Sequence, residues 1–397
     1  MYSPRPPILL ITENDPLSIS TGGQVTFAKH LISAFGEDIA IASYCKDGSV
    51  PKKTWSLRDF NNKNHLYFNL GPSGKTHSRK PIVPARIRAY FCVRNSLHAL
   101  RQKSFSGVII DSPEVLFAIS RHNWPSICYS FAGLNNPVAF SRYPLLRVLG
   151  GLFETYQVRV LKHMKPDLMI AAADDKAIRQ FHARTNHLLD TDRFHKFPTR
   201  VDTNHFCPID CLQARESLAL SSTSTILLAT GRIAWIKGWE LLLNAFAIIK
   251  KSIPDATMIF VGDGEDRFKL SKMASDLDLL NDIRITGFVP HNLVVRYMNA
   301  ADVCLVASHR EGWSLAMCEM LACGKAIVST DVSGARDMVH DGHNGFVVGN
   351  RNPIDYADAI FNTLKLEGAG EYSRQLSNVY SVKNLAKDLT RIWKALQ

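Results

Sequence analysis

Short apolar runs alternate with longer amphipathic stretches along this chain. Ile8–Ile11 is an unbroken apolar run, followed by a loop that ends in Thr21-Gly22-Gly23. Beyond it Ala28, Leu31, Ile32 and Phe35 recur at 3.6-residue spacing, which predicts a helix. Ile39–Ser43, Val108–Ile110, Ser126–Ser130 and Leu168–Ala173 are further predicted strands. A second series begins near residue 225, with Ile226–Ala229, Met258–Val261, Ile283–Thr286, Val303–Val306 and Ala326–Ser329 as strands and Trp239 to Lys250 as an intervening helix. Continuous apolar strands separated by helices predict an α/β protein with parallel sheets covered on both faces. Two such series predict two doubly wound domains, over residues 1–199 and 200–378, joined at the proline-bounded polar segment Pro198 to Pro208. The stripe Val382, Leu385, Ala386, Leu389, Ile392 and Trp393 predicts a closing helix in 379–397 that needs a surface, and the first domain is expected to supply it. Asn61 to Arg88, rich in Lys, Arg, Pro, Gly and Asn, reads as a long basic loop.

Composition adds little to this picture, and charge adds more. With 397 residues, 46% apolar and 21% charged, the chain belongs with ordinary folded proteins. Its 8 cysteines form no Cys-x-x-Cys pair, so neither a disulfide framework nor a zinc site is expected. No apolar run approaches ~18 residues, and the first residues hold only the Ile8–Ile11 run, so a soluble cytoplasmic protein is expected. The net charge is +11, and over residues 1–200 Lys and Arg outnumber Asp and Glu 27 to 14. A basic half suits anionic lipid, a lipid-linked phosphate or nucleic acid, and a solvated surface without a partner suits it equally. Nucleic acid is not expected, because no basic stripe interleaved with aromatics accompanies the charge. Tyr143 to Phe153, with Arg142, Arg147, Arg159 and Lys162 nearby, fits either a stretch lying on a membrane or a core helix.

Several constellations could carry chemistry. Gly231-Arg232 and Lys237-Gly238 follow the strand Ile226–Ala229, and two cations on a loop at the carboxyl end of a parallel strand suit a diphosphate. Exposed cations on an ordinary loop have the same spacing. Glu311-Gly312-Trp313-Ser314 and then Glu319 follow the strand Val303–Val306. Ser314 can cap a helix Leu315–Cys323, whose start favours an anion, and the two carboxylates can hold sugar and ribose hydroxyls. Solvated carboxylates near a helix start are the plainer alternative. Gly22-Gly23 and Gly262-Asp263-Gly264 are turns in which backbone can approach a ligand, or turns and nothing more.

Taken in order, these motifs say more than each alone. Gly-Arg…Lys-Gly is followed by Val-Gly-Asp-Gly at 261–264, Thr-Gly-Phe-Val-Pro at 286–290 and Ala-Asp-Val at 301–303. Ser308…Glu311-Gly312…Glu319, Cys323-Gly324-Lys325-Ala326 and Asp341-Gly342-His343-Asn344-Gly345 complete the run. Over about residues 225–350 this resembles the retaining, nucleotide-sugar-dependent glycosyltransferases of family 4. Arg200-Val201-Asp202…Phe206-Cys207-Pro208 resembles that family's interdomain link.

The resemblance implies a GT-B fold: two Rossmann-like doubly wound domains facing a cleft, with the C-terminal helix crossing back to the first domain. It implies Arg232, Lys237 and Glu311 as catalytic residues. The donor would be bound by Gly22, Gly23, Gly231, Arg232, Lys237, Val289, Glu311, Gly312, Trp313, Ser314, Leu315 and Glu319. Arg232 and Lys237 would hold the diphosphate, Glu319 the ribose and Glu311 the transferred sugar. No metal and no cofactor beyond the nucleotide-sugar substrate is implied. The acceptor would be a saccharide or lipid-linked saccharide in cell-surface polysaccharide synthesis, with peripheral contact to anionic lipid at the inner face of the cytoplasmic membrane. An epimerase, a disaccharide synthase or phosphorylase, and an inactive sugar-nucleotide binder are the alternatives. The sequence departs from the family where relatives carry histidine: Asp111-Ser112-Pro113-Glu114 follows one strand, and Phe131-Ala132-Gly133 also lacks it. Asp111 is the candidate sugar or acceptor contact in its place. Met320 and Trp313 are further departures, with Trp313 expected to narrow the sugar pocket.

Overall fold

In the computed structural model the described residues are 6–16, 23–45, 47–60, 62–71, 85–131, 133–134 and 150–396. The chain divides into two units, one of residues up to Pro198 together with those from Lys383 onward, the other Thr199–Val382. Both are built on mainly parallel sheets with helices between the strands, the doubly wound α/β class.

In the first unit β1 (Ile8–Ile11), β2 (Ile39–Ser43), β3 (Trp55–Phe60), β4 (Lys63–Asn69), β5 (Gly107–Ile110), β6 (Ile127–Phe131), β7 (Leu168–Ala171) and β8 (Phe194–Lys196) form one sheet. Its order is β3-β4-β2-β1-β5-β6-β7-β8, and only β3 runs antiparallel, against β4. Strands β1, β2, β5, β6 and β7 are buried at every residue, as unbroken apolar runs require.

The basic loop expected over Asn61 to Arg88 is corrected here. Lys63–Asn69 is a strand paired with Trp55–Phe60, and Ala85–Arg94 is a helix, while 72–84 lie outside the described residues. Charge disguised this hairpin. Arg58 sits mid-strand yet is buried, because Asp15 and Asp47 accept its guanidinium hydrogens at 3.2 and 3.0 Å and Tyr67 lies under it. A buried cation is tolerated only when so paired.

The closing helix Leu385–Ile392 belongs to the first unit. Leu385, Leu389 and Trp393 are fully buried in one cluster with Ala28, Leu31 and Ile32, and Trp393 Nε1 donates to Ser126 Oγ at 2.9 Å. Burying each such side chain is worth about 1.5–3 kcal/mol, which answers the unpaired stripe in the sequence. Residues 379–382 stay with the second unit instead, since Val201 and Ser381 form a bridge and Arg200 Nη1 donates to Val379 O at 2.6 Å.

In the second unit β9 (Ile226–Thr230), β10 (Thr257–Val261), β11 (Ile283–Ile285), β12 (Val303–Val306), β13 (Ala326–Thr330) and β14 (Gly345–Val348) are all parallel, in the order β11-β10-β9-β12-β13-β14. This is the doubly wound order in which direction of growth reverses at one point, here between β9 and β12. Among the described residues, no helix is long and apolar enough to cross a membrane. Of the stretch Tyr143 to Phe153, residues 143–149 lie outside the described residues; the rest opens the helix Gly150–Met164.

Candidate functional site

Where strand order reverses, the loops leaving the two central strands diverge and open a crevice at the carboxyl ends. The loop after β9 carries Gly231, Arg232 and Lys237, and the loop after β12 carries Ser308 and Glu311. The structure brings the two loops together. Lys237 Nζ donates to Glu311 Oε1 at 2.6 Å, and Ser308 Oγ donates to the same oxygen at 2.7 Å. A small cavity, open to solvent, lies here, and Gly231, Arg232, Lys237, Ser308, Glu311 and Ser314 are in its wall.

Backbone constraints explain why Lys237 arrives at this place. It ends the single 3-10 turn Trp235–Lys237, and Gly238 follows with φ 71°. A Cβ on Gly238 would stand 1.9 Å from the Ala307 carbonyl oxygen, so only glycine lets this turn lie against the loop after β12. His309 N–H, bonded to Ile236 O at 2.8 Å, fastens the same contact. On the other side the Gly262-Asp263-Gly264 turn supports the loop carrying Arg232. A Cβ on Gly262 would meet Gly231 O at 2.0 Å, and Ile233 N–H donates to Asp263 O at 2.9 Å. That turn is therefore a buttress as well as a strand-to-helix connection.

Arg232 is half in use already. Its Nε and Nη2 donate to the two oxygens of Glu265, both at 2.8 Å, and both side chains are exposed. The helix Leu315–Ala322 begins at Ser314, whose Oγ accepts Met317 N–H at 3.4 Å. Ser314 and Ala316 line the cavity, so the positive end of this helix and first-turn N–H groups without intrahelical partners adjoin it. Glu319 lies one turn further in. It is buried, and burial pushes its carboxyl up to about 8.

Other expected donor residues stand apart from this wall. Trp313 is buried, with its ring against Tyr380 at a centroid distance of 5.7 Å, and a Cβ on Gly334 would meet that ring at 2.7 Å. The indole anchors its loop to the core, and the wall of the cavity does not include it. Gly312 and Leu315 flank the wall without lining it, and Val289 is half-buried beyond β11, two strands from β9. Gly23 opens a helix of the first unit, and Gly22 lies outside the described residues.

Asp111 ends β5 in the first unit, beside Thr12 at the end of β1, where that sheet's order also reverses. Gln24 Nε2 donates to its main-chain carbonyl at 2.8 Å. Its carboxyl is only 2% exposed, and neither oxygen has a hydrogen-bond partner among the described residues. Burial pushes it up to about 7; the nearby Thr12 hydroxyl, though not in hydrogen-bonding geometry, opposes the shift, and Glu13 and Glu114 add to it.

Three supporting residues were not legible as such. Ser308 stands in the motif run, but nothing in its spacing announces a bond to Glu311. Glu265 is unremarkable in sequence. Arg351 reaches back from beyond β14, its Nη1 donating to Ala307 O at 2.9 Å and Ser308 O at 3.2 Å. A separation of 43 to 44 residues leaves no local signal for that pairing.

Residues 212–379 match the family described as Glycosyl transferases group 1. A D-inositol 3-phosphate glycosyltransferase from Geodermatophilus obscurus is 36% identical over 172 residues, 41% of this chain and 38% of that protein. The chain spans under half the length of the first curated relatives it matches. Among solved structures, a sucrose-phosphate synthase from Thermosynechococcus elongatus superposes with a TM-score of 0.79 at 18% identity, covering 99% of each chain. HepE from Anabaena in complex with UDP-glucose does so with a TM-score of 0.71 at 16% identity, covering 99% of this chain and 100% of that one. The fold is thus GT-B, with two Rossmann-like units.

Proposed function

We propose, from the premise that residues 212–379 are a group 1 glycosyl transferase domain, that this chain transfers a hexose-type sugar from a nucleotide-sugar donor to a saccharide acceptor with retention at the anomeric carbon. The observation that carries the reading is the meeting of Lys237 and Glu311 at the point where strand order reverses, beside a helix start. Breaking the bond between sugar and phosphate puts negative charge on the departing diphosphate. Arg232, Lys237 and the N–H groups opening the helix Leu315–Ala322 are the groups that stabilise that charge as it develops. We take these two cations and the helix end to supply the neutralisation, without a metal. Glu311, with one oxygen engaged by Lys237 and Ser308, holds sugar hydroxyls through its remaining capacity. Glu319, buried one turn into the same helix, accepts the ribose hydroxyls.

A thermal-shift and hydrolysis screen over UDP-, GDP-, ADP- and dTDP-sugars tests this. At least one donor should raise the melting temperature and be slowly hydrolysed. Stabilisation by none of them contradicts the reading. Epimerised donor formed without acceptor would favour the epimerase alternative.

For the acceptor, we favour a lipid-linked glycan of cell-surface polysaccharide synthesis, handled at the cytoplasmic membrane face. Support comes from the basic first half and from the helix Gly150–Met164, which exposes Leu152 and Tyr156 together with Arg159 and Lys162. Apolar side chains beside cations suit an anionic bilayer surface. Co-sedimentation with anionic vesicles at physiological salt, reduced by Leu152→Ser with Tyr156→Ser, is the expected result, and absence of binding removes the membrane part of the proposal. Asp111 is the sugar or acceptor contact we assign in the first unit.

A further inference from the structure

We propose that Glu265 promotes release of the nucleoside diphosphate product by competing with it for Arg232. The inference rests on the donor-pocket reading above and adds a residue to it. Three observations carry it. The pair is bidentate, with Nε and Nη2 of Arg232 each 2.8 Å from a Glu265 oxygen. That edge of a guanidinium is a fork that also takes a phosphate two-handed, so carboxylate and diphosphate compete for the same hydrogens. The partners are held opposite each other by the backbone. Ile233 N–H donates to Asp263 O at 2.9 Å, and Asp266 N–H donates to Ile233 O at 3.1 Å, so the turn bearing Glu265 is stapled beside Arg232. The neighbouring carboxylate Asp263 is directed elsewhere, to Arg267 at 3.2 Å.

The charge balance of the reaction gives the pairing its direction. A nucleoside diphosphate-sugar has two ionised phosphate oxygens. When the sugar–oxygen bond breaks, the bonding pair stays on the terminal phosphate, the sugar carbon bonds to the acceptor hydroxyl oxygen, and that hydroxyl's proton passes to solvent, so the free diphosphate gains a further negative charge. The product therefore holds Arg232 and Lys237 more tightly than the donor does, and its departure tends to limit turnover. A carboxylate fixed within reach of Arg232 offsets that gain. It recaptures the guanidinium as the phosphate leaves, and its charge repels the product more than the donor. Both side chains are solvent-exposed, which keeps the competition weak enough for the donor to enter.

The test is UDP binding to the full chain, by calorimetry and by stopped-flow displacement, with GDP, ADP or dTDP substituted if the donor screen selects another base. Glu265→Gln keeps size and removes the charge. It should bind the diphosphate about 3-fold more tightly, mainly through slower dissociation, and leave the parent nucleoside's affinity unchanged. In an Arg232→Ala background the same substitution should change nothing. Equal or weaker diphosphate binding by Glu265→Gln, with an unaltered melting temperature, overturns the proposal and makes Glu265 a positioning residue or a passive neighbour. If the wild-type chain binds none of the four nucleoside diphosphates, the donor reading itself fails, which is a separate outcome.

Discussion

The two sheets of this chain reverse their strand order in the same way and use the opening differently. At the β9–β12 reversal every side chain in the cavity wall that carries charge is matched: Lys237 to Glu311, Glu311 also to Ser308, Arg232 to Glu265. At the β1–β5 reversal the Asp111 carboxyl is buried with no hydrogen-bond partner among the described residues, and the charges acting on it, Glu13 and Glu114, are of its own sign. The first arrangement ties each charge in the wall to an opposite charge. The second stores an unfavourable burial that a hydroxyl-rich ligand could relieve by donating hydrogen bonds. One topology thus supports opposite electrostatics, and the side chains at strand ends decide which.

The largest expected effect lies in the second unit. Lys237→Ala should lower turnover ~10²-fold or more in a direct transfer or hydrolysis assay, comparable to removing one donor from an oxyanion site. Near-normal transfer would remove Lys237 from the leaving-group role and with it the contrast between the two openings.

Trp313 lies outside the cavity wall. Because its indole is buried against Tyr380, Trp313→Ala should cost about 3–5 kcal/mol of stability in denaturant unfolding. Trp313→Phe, which keeps much of the packing, should leave the donor dissociation constant within about 2-fold of wild type. A large loss of donor affinity in the phenylalanine variant, without loss of stability, would return the ring to the sugar pocket.

A smaller effect, of opposite sign, is expected in the first unit. The Asp111 carboxyl is pushed up to about 7, against an unfolded-chain value of about 3.9. Between those values the native state keeps a proton that the unfolded chain has lost. Stability therefore falls as pH rises across that window, and the deficit is complete above pH 7. Asp111→Asn removes the charge but not the shape. It should raise the melting temperature by about 3 °C or more at pH 8 and by little near pH 4, read by calorimetry across pH. A uniform fall at both pH values would mean that the carboxylate is satisfied in a way this account lacks.

How much of this was legible beforehand depends on range. Strands such as Ile8–Ile11 and Val303–Val306 are written as local apolar runs, and the structure places them at those residues. The motif residues Gly231, Arg232, Lys237, Glu311 and Ser314 converge on one cavity because each sits just past a strand end, a local property of sequence. What stayed hidden was non-local. The β3–β4 hairpin was masked by Arg58, whose burial depends on Asp15, 43 residues away. The roles of Glu265, Ser308 and Arg351 depend on loops that meet only after folding, and an indole beside a site motif gave no sign that Gly334 and Tyr380 would claim it.

The central claim is that the second unit grips a pyrophosphate through Arg232, Lys237 and the helix start. Calorimetric titration of the full chain with a nucleoside diphosphate and with its parent nucleoside tests it most directly. The diphosphate should bind at least ~100-fold more tightly, about 2.7 kcal/mol, and Arg232→Ala with Lys237→Ala should abolish most of the difference. Equal affinity for the two ligands, or a preference untouched by the double substitution, would contradict it.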